Sequence, residues 1–349
     1  MSKPPFSLNI KTVDQLLSRF EKTQVLVIGD MMLDEFVWGK VSRISPEAPV
    51  PIVWVQSEST MPGGAANVAN NIRALGGQVC VVGVTGTDRY GDLLIGGLTS
   101  RGIDASGLIR TDRPTTVKTR VIASHQQIVR VDRERPEALA PHVVERLLDA
   151  IRPRIEEADA IILEDYNKGV ISKALLAAVI PLARKHKKII TVDPKQEHFK
   201  LYRRVTCLTP NRMEAGQAVG RELKDQKDVE RAGEEIMKRL DCESLLITLG
   251  EDGLYLFEAS GRRTLIPTVA QAVFDVAGAG DTVIGVYTLA LACGASKLHA
   301  AQVANFAAGV VVGKVGVATL SPEELRARIQ GAEKLPQASS SPRHSAKKR

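Results

Sequence analysis

Only four cysteines occur among 349 residues, Cys80, Cys207, Cys242 and Cys293, and none forms a CxxC pair. That scarcity excludes a disulfide scaffold and a thiolate metal cluster, and points to reduced thiols. Aromatic residues are 4% of the chain, and no basic stretch is interleaved with stacking rings, which argues against a nucleic-acid partner. No apolar run reaches membrane-spanning length, and the N-terminus lacks a basic flank followed by a signal-type apolar stretch. A cytoplasmic protein with no membrane partner is expected. Two nucleotide motifs are missing as well. No GxGxxG follows VLVIGD (Val25 to Asp30), and GxxxxGK[ST] is absent, which sets aside a nicotinamide dehydrogenase and a P-loop enzyme. Acid is lacking in one place: residues 334–349 hold Lys334, Arg343, Lys347, Lys348 and Arg349 with no Asp or Glu. Of the net +7, only +2 therefore belongs to residues 1–333. The basicity sits in a Ser-, Pro- and Lys-rich segment expected to be a disordered tail, and it says little about partners.

What is present is an ordinary globular composition, 44% hydrophobic and 25% charged, enough for a large core in residues 1–333. Apolar runs at Gln24–Gly29, Gln78–Val84, Ala160–Leu163, Lys188–Val192, Cys207–Thr209 and Leu245–Thr248 read as buried strands. Amphipathic stretches lie between them, at Gly64–Leu75, Val143–Ile155, Lys173–Lys187 and Asp228–Leu240. This alternation predicts an α/β fold with a mainly parallel sheet flanked by helices. Val50–Val55 and Thr115–Ala123 with Gln127–Asp132 have another texture, β-rich and not followed by helices. They predict a small separate β-sheet, a lid with segments at about 34–57 and 115–132.

The most informative string is FDVAGAGDTV, Phe274 to Val283. Gly278, Ala279 and Gly280 precede Asp281, and the apolar run from Val283 to Cys293 reads as a buried helix. A helix start without bulky side chains offers unpaired N–H groups and the positive end of the helix dipole to an anion. An acid beside such a cradle repels phosphate as a ligand but suits a base for a hydroxyl brought beside the phosphate. Phosphoryl transfer is the chemistry suggested; a plain Gly-rich turn capped by Asp281 is the bland alternative. Gly63 and Gly64 let another helix start approach a ligand closely, with Asn67 one turn on able to donate to and accept from hydroxyls. Asp30 and Asp34 follow the strand Gln24–Gly29, at the end where α/β folds bind ligands, and either carboxylate suits a diol; Asp34 is favoured, with Asp30 second.

The segments GDMMLDEFVWGKVSRISPEAPVP (Gly29 to Pro51), MPGGAANVANNIRALGG (Met61 to Gly77), NRMEA (Asn211 to Ala215), ITLGEDG (Ile247 to Gly253) and DVAGAGDT (Asp275 to Thr282) occur in the order and spacing of the ribokinase-like, or PfkB, sugar kinases. The chain resembles that family from about Val25 to Leu325. The resemblance implies a central mainly parallel sheet with a β lid over the sugar. It implies Asp281 as catalytic base and the main chain of Ala277 to Gly280 as anion hole. Asn211 and Glu214 would lie by the nucleotide phosphates, with Glu214 holding magnesium mostly through water. Thr248 to Gly253, with Gly250 and Gly253, resembles the nucleotide loop, and Asn305 would sit near the adenine. ATP and magnesium are the implied cofactors. Two details stand apart: Ala277 replaces the family's usual Thr, and Asp275 resembles a side chain that binds a monovalent cation such as potassium in many relatives.

Within the family, SRISPEAPVP (Ser42 to Pro51), SHQQIVRVDRE (Ser124 to Glu134), LEDYNKGV (Leu163 to Val170) and VDPK (Val192 to Lys195) resemble the branch acting on D-glycero-β-D-manno-heptose 7-phosphate. That implies transfer of phosphate from ATP to the anomeric hydroxyl, giving the 1,7-bisphosphate on the route to ADP-heptose for lipopolysaccharide core. A substrate already phosphorylated needs cations at its far end, and two of Arg43, Lys168 and Lys195 are expected to supply them. A kinase for another phosphosugar, such as fructose 6-phosphate, is the alternative within the class, and a non-catalytic sugar-binding regulator the alternative outside it. A nucleotidyltransferase domain is often fused to this branch; since this sequence stops soon after the kinase region, a free-standing form is expected. A homodimer paired through the lid, with Val53, Trp54 and Val55 at the contact, is also expected.

Overall fold

The computed structural model describes residues 8–334 apart from 125, 136, 271 and 272. Its strands are β1 (Gln24–Gly29), β2 (Met31–Ile44), β3 (Pro51–Gly64), β4 (Gln78–Gly86), β5 (Asp104–Thr111), β6 (Thr116–Ala123), β7 (Gln126–Arg133), β8 (Ala160–Glu164), β9 (Ile189–Asp193), β10 (Cys207–Leu208), β11 (Ser244–Thr248), β12 (Leu254–Glu258) and β13 (Arg263–Ile266). Its helices are α1 (Ile10–Phe20), α2 (Ala65–Ala74), α3 (Arg89–Ser100), α4 (Pro141–Glu157), α5 (Lys173–Lys185), α6 (Arg212–Val219), α7 (Gln226–Leu240), α8 (Ala279–Ala292), α9 (Lys297–Val311) and α10 (Pro322–Lys334). The segment expected to be a tail starts inside the last turn of α10, and residues 335–349 lie outside the described residues.

Nine strands form the main sheet in the order β13-β12-β11-β10-β9-β8-β1-β4-β5. From β11 to β5 every pairing is parallel, and the β12–β13 pair extends the sheet antiparallel. Strand β1 shows why such strands read as continuous apolar runs. Val25 and Val27 enter one core with Phe20 of α1, Ile72 of α2, Ile284 of α8 and Ala304 of α9. Leu26 and Ile28 enter the other, with Ile151 of α4, Val179 of α5 and Ile236 of α7. The surface helix α7 buries Val229, Ala232, Gly233, Ile236 and Leu240, one stripe at helical spacing. By contrast α8 is apolar nearly all round, because it lies between the sheet and α9.

The second sheet has the order β3-β2-β6-β7, with β2 and β6 parallel and the outer pairs antiparallel. Its long strands β2 and β3 leave the main body and return to it at Gly64, directly before α2. The parallel strands β1, β8, β9 and β11 end at Gly29, Glu164, Asp193 and Thr248, so the loops beyond them gather at one edge of the main sheet, where such folds bind ligands. Among the described residues no helix is long and apolar enough to cross a membrane.

Candidate active site

Asp281 lies in the first turn of α8 and is 6% exposed. One carboxylate oxygen accepts from Asn67 Nδ2 at 2.7 Å and the other from the Tyr166 hydroxyl at 2.7 Å. The Asn67 amide is itself oriented, since Asn71 Nδ2 donates to Asn67 Oδ1 at 3.3 Å, and the Thr282 hydroxyl donates to Asn71 Oδ1 at 3.0 Å. Gly278, the residue before α8, sits at φ +77° and leaves room for this amide: a Cβ there would lie 2.8 Å from Asn67 Nδ2. Burial raises the pKa of Asp281, and the donors Asn67 and Tyr166 pull it back down. A carboxylate with one donor on each oxygen keeps further lone pairs, so it can accept a proton from an alcohol.

Tyr166 carries a role that the sequence reading missed. Burial, then the negative charges of Asp281 and Glu164, hold its phenol well above the usual tyrosine pKa, so it stays a donor. Removing it in Tyr166→Phe takes away a bond that lowers the Asp281 pKa. The acid limb of kcat/KM should therefore move to higher pH while the fold stays intact; a pH profile with an unmoved acid limb would show that Tyr166 only fills space.

The cradle beside Asp281 is narrower than expected. The Ala277 N–H donates to Asp275 Oδ1 at 2.9 Å and the Ala279 N–H to the Val276 carbonyl at 3.2 Å. Two of the main-chain donors expected for the anion hole are thus used inside the loop, and Asp275, expected at a monovalent cation, spends one oxygen on that turn. Gly280 is exposed with nothing within 4 Å of an added Cβ, so the main chain is open to a ligand there.

The two acids after β1 separate cleanly. Asp30 accepts from the backbone N–H groups of Tyr166 (2.9 Å), Lys168 (3.0 Å) and Val170 (3.0 Å). It fixes the loop that carries Tyr166 and Lys168, which corrects its expected role as a sugar ligand. Asp34 on β2 pairs with Arg120 of β6, and Gly63 on β3 makes room for it, because a Cβ there would lie 2.7 Å from Asp34 Oδ2. Gly64 (φ +54°) carries the chain from β3 into α2. Lys118 is in register with Asp34 on the neighbouring strand, and both Lys118 and Arg120 oppose the burial that raises the Asp34 pKa.

Of the three candidate cations, two of which are expected at the sugar phosphate, Lys168 alone pairs with a residue of the second sheet's edge segment, Glu134. Lys168 reaches Glu134 at 2.7 Å, and Lys118, absent from the expectation, reaches the same carboxylate at 3.5 Å. Lys195 instead pairs with Glu214, lies 3.8 Å from Asp193 and stands over the Tyr166 ring at 5.2 Å. Burial acts to lower its pKa, but Asp193 and Glu214 outweigh burial and raise it, so the ammonium is firmly charged. Arg43 is exposed near the far end of the β2–β3 hairpin, opposite Ile52. At about 3.3 Å per residue it is roughly 30 Å along β2 from Asp34, so within one chain it is remote from the base.

Asn211 and Glu214 form a capping box at the start of α6: Asn211 Oδ1 accepts from the Glu214 N–H at 2.9 Å, and Glu214 Oε2 accepts from the Asn211 N–H at 2.9 Å. The other Glu214 oxygen meets Lys195. Asn211 also bridges in parallel fashion to Thr248, which brings the two expected nucleotide elements together. A tight turn follows at Gly250–Asp252, with Gly250 at φ +64° in open space and Gly253 at φ +93° against the Ile266 carbonyl. Asn305 is buried in α9 and donates to the Pro267 carbonyl at 2.8 Å, so its amide anchors the chain after β13.

Beneath these groups lies an unforeseen feature. Glu164 is fully buried with both oxygens unpaired, in register with Asp193 on β9. Burial, then the charges of Asp193 and Asp281, push its pKa far up. Burial also lifts Asp193, to about 7, against the pull of Lys195. The neighbouring Asp193 charge adds to burial in disfavouring the ionised form of Glu164, whereas Asp193 itself has the Lys195 ammonium 3.8 Å away.

The fold and this site define a sugar kinase, and the comparisons agree: residues 22–324 match the pfkB family carbohydrate kinase model, and the chain belongs to that family. It is 46% identical over 323 residues to the "Bifunctional protein HldE" of Desulfatibacillum aliphaticivorans, a match covering 92% of this chain and 66% of that protein. It is 46% identical over 316 residues to the protein of that name from Geobacter metallireducens, covering 90% and 64%. The chain thus spans about two thirds of the length of these relatives, which are named bifunctional. Phosphofructokinase-2 from Escherichia coli, solved with substrates and products, superposes with TM-score 0.74 at 20% identity over 89% of this chain and 100% of that one. A ribokinase from Thermotoga maritima does so with TM-score 0.70 at 24% identity, covering 88% and 99%. At those identities the likeness is one of fold. Kinases of this family use ATP and a divalent metal.

Proposed function

We propose that the protein is an ATP-dependent kinase for the anomeric hydroxyl of D-glycero-β-D-manno-heptose 7-phosphate, yielding the 1,7-bisphosphate, in the cytoplasm, on the route to ADP-heptose for lipopolysaccharide core. The observation that carries this reading is the sequence of charges leading away from the base. Asp281 is followed by Asp34, whose charge acts on it, then by Lys118 in register with Asp34, then by Lys168 across Glu134. A base, a diol-binding acid and two cations in that order suit a sugar with a reacting hydroxyl at one end and a phosphate at the other. The name HldE borne by relatives at 46% identity agrees with it. Fructose 6-phosphate is the second reading, favoured by the fold likeness to Escherichia coli phosphofructokinase-2 in complex with that sugar. ADP release measured over a panel of sugar phosphates tests the two.

In this reading Asp34 binds sugar hydroxyls, and Asp281, held by Asn67 and Tyr166, takes the proton of the anomeric hydroxyl. That oxygen bonds to the γ-phosphorus as the bond to ADP breaks, and the open main chain at Gly280 steadies the transferred charge. Asn211, Glu214 and Lys195, with Thr248 and the Gly250 turn, face the nucleotide phosphates. Both Glu214 oxygens have protein partners, and among the described residues no three His, Cys, Asp or Glu side chains gather as a metal cage. Such a set fits magnesium that keeps its waters and is held mainly by the substrate's phosphates, whose charge it would neutralise.

We also propose a homodimer through the second sheet. Trp54 is 69% exposed there, and Ile44, Val50, Val55, Val129 and Val131 are exposed on the same sheet or its hairpin. So much apolar surface on one small sheet is unusual for a monomer. Sedimentation velocity at micromolar protein should give a dimer, weakened by Trp54→Lys; a single monomeric boundary for the unaltered protein would remove the idea.

A further inference from the structure

The Lys168–Glu134 pair is held by more of the fold than a surface ion pair requires. Asp30 takes the Lys168 N–H, and Arg113 donates to the Lys168 carbonyl at 3.0 Å, to the Glu137 carbonyl at 2.8 Å and to the Arg135 carbonyl. One buried guanidinium therefore ties the loop after β8 to the segment leaving β7. Gly169, at φ +101°, lets the two chains touch, since a Cβ would lie 2.7 Å from the Glu137 carbonyl. From this frame Glu134 presents one oxygen to Lys168 at 2.7 Å and the other to Lys118 at 3.5 Å. Lys118 also lies 3.1 Å from Asp132, which Arg130 meets at 2.9 Å. The lysine side chains are only 21% and 15% exposed. Two half-buried ammonium groups this close repel each other unless an anion stands between them.

We infer that Glu134 is a built-in stand-in for the substrate's phosphate. It pairs Lys118 and Lys168 in the empty enzyme and gives them up to a phosphate monoester. This rests on the phosphosugar reading above. A phosphate at neutral pH carries nearly two charges and three acceptor oxygens, against one charge and two oxygens on Glu134, so exchange favours the phosphate. A neutral hydroxymethyl group has no means of displacing the carboxylate. Glu134 thus sets the threshold that an incoming group must pass, and it acts as a specificity residue without touching the reacting atoms.

The test compares the unaltered enzyme with Glu134→Gln and Lys168→Ala. The readouts are kcat/KM for heptose 7-phosphate and for heptose, and the inhibition constant of inorganic phosphate competing with the sugar. Glu134→Gln removes the competing charge but keeps the shape, so phosphate should inhibit about three- to tenfold more tightly. The preference for phosphorylated over unphosphorylated sugar should rise by a similar factor. Lys168→Ala should weaken both phosphate inhibition and the preference. If Glu134→Gln left phosphate inhibition unchanged, or weakened it, the inference would fail although the substrate reading stood. If the unaltered enzyme showed no preference for the phosphorylated sugar, the substrate reading itself would fail first.

Discussion

Asp281→Asn should lower turnover by about two to four orders of magnitude while ATP and sugar still bind, the usual range for a lost general base. The amide keeps the shape of the carboxylate and can still accept from one of Asn67 and Tyr166, each 2.7 Å from an Asp281 oxygen. It lacks the basicity to take a proton from an alcohol. Turnover and ligand affinity are therefore expected to separate: kcat collapses, and sugar binding followed by calorimetry changes little. Near-normal turnover in this variant would mean that the hydroxyl proton leaves by another route. A collapse of sugar binding instead would make Asp281 a ligand rather than the base.

Lys168→Ala should weaken heptose 7-phosphate by about ten- to over a hundredfold while changing unphosphorylated heptose far less, because a charge-assisted bond contributes roughly 1.5–3 kcal/mol. Lys195→Ala is expected to behave differently, as its ammonium lies with Glu214 and Asp193 rather than with the lid cations. It should reduce kcat on both sugars in equal proportion and raise the magnesium needed for half-maximal rate. Steady-state kinetics on the two sugars across a magnesium series separates these outcomes. Equal losses on both sugars in Lys168→Ala would assign that lysine to the loop it stands on.

Much of the framework was legible because its signals are local. The six expected strands occur within one or two residues of their expected ends, since strands buried on both faces carry uninterrupted apolar runs. Strands β5, β12 and β13 and helices α1, α3 and α10 were passed over; β5 carries Asp104, Ser106 and Arg110 among its apolar residues, and so lacks the continuous run. At the site, GAGD and the Asp34 neighbourhood could be read from backbone needs, small residues where a helix start or a carboxylate leaves no room for a Cβ. Which cation faces which ligand could not, because it depends on register between distant strands. Lys118 faces Asp34 only once β2 and β6 pair, and Lys195 meets Glu214 only once β9 and β10 lie side by side. Tyr166 stands inside LEDYNKGV, but nothing in that string marked it as a partner of Asp281. Its hydroxyl reaches Asp281, 115 residues along the chain, through a loop fixed by Asp30, which is why Asp30 serves the frame of that loop.

The most direct test is a coupled assay of ADP release with heptose 7-phosphate, heptose, fructose 6-phosphate and ribose as acceptors, each at several concentrations. The account predicts kcat/KM highest for heptose 7-phosphate, at least tenfold above heptose, with a 1,7-bisphosphate as product. Highest activity on fructose 6-phosphate, or equal rates on heptose with and without its phosphate, would contradict it.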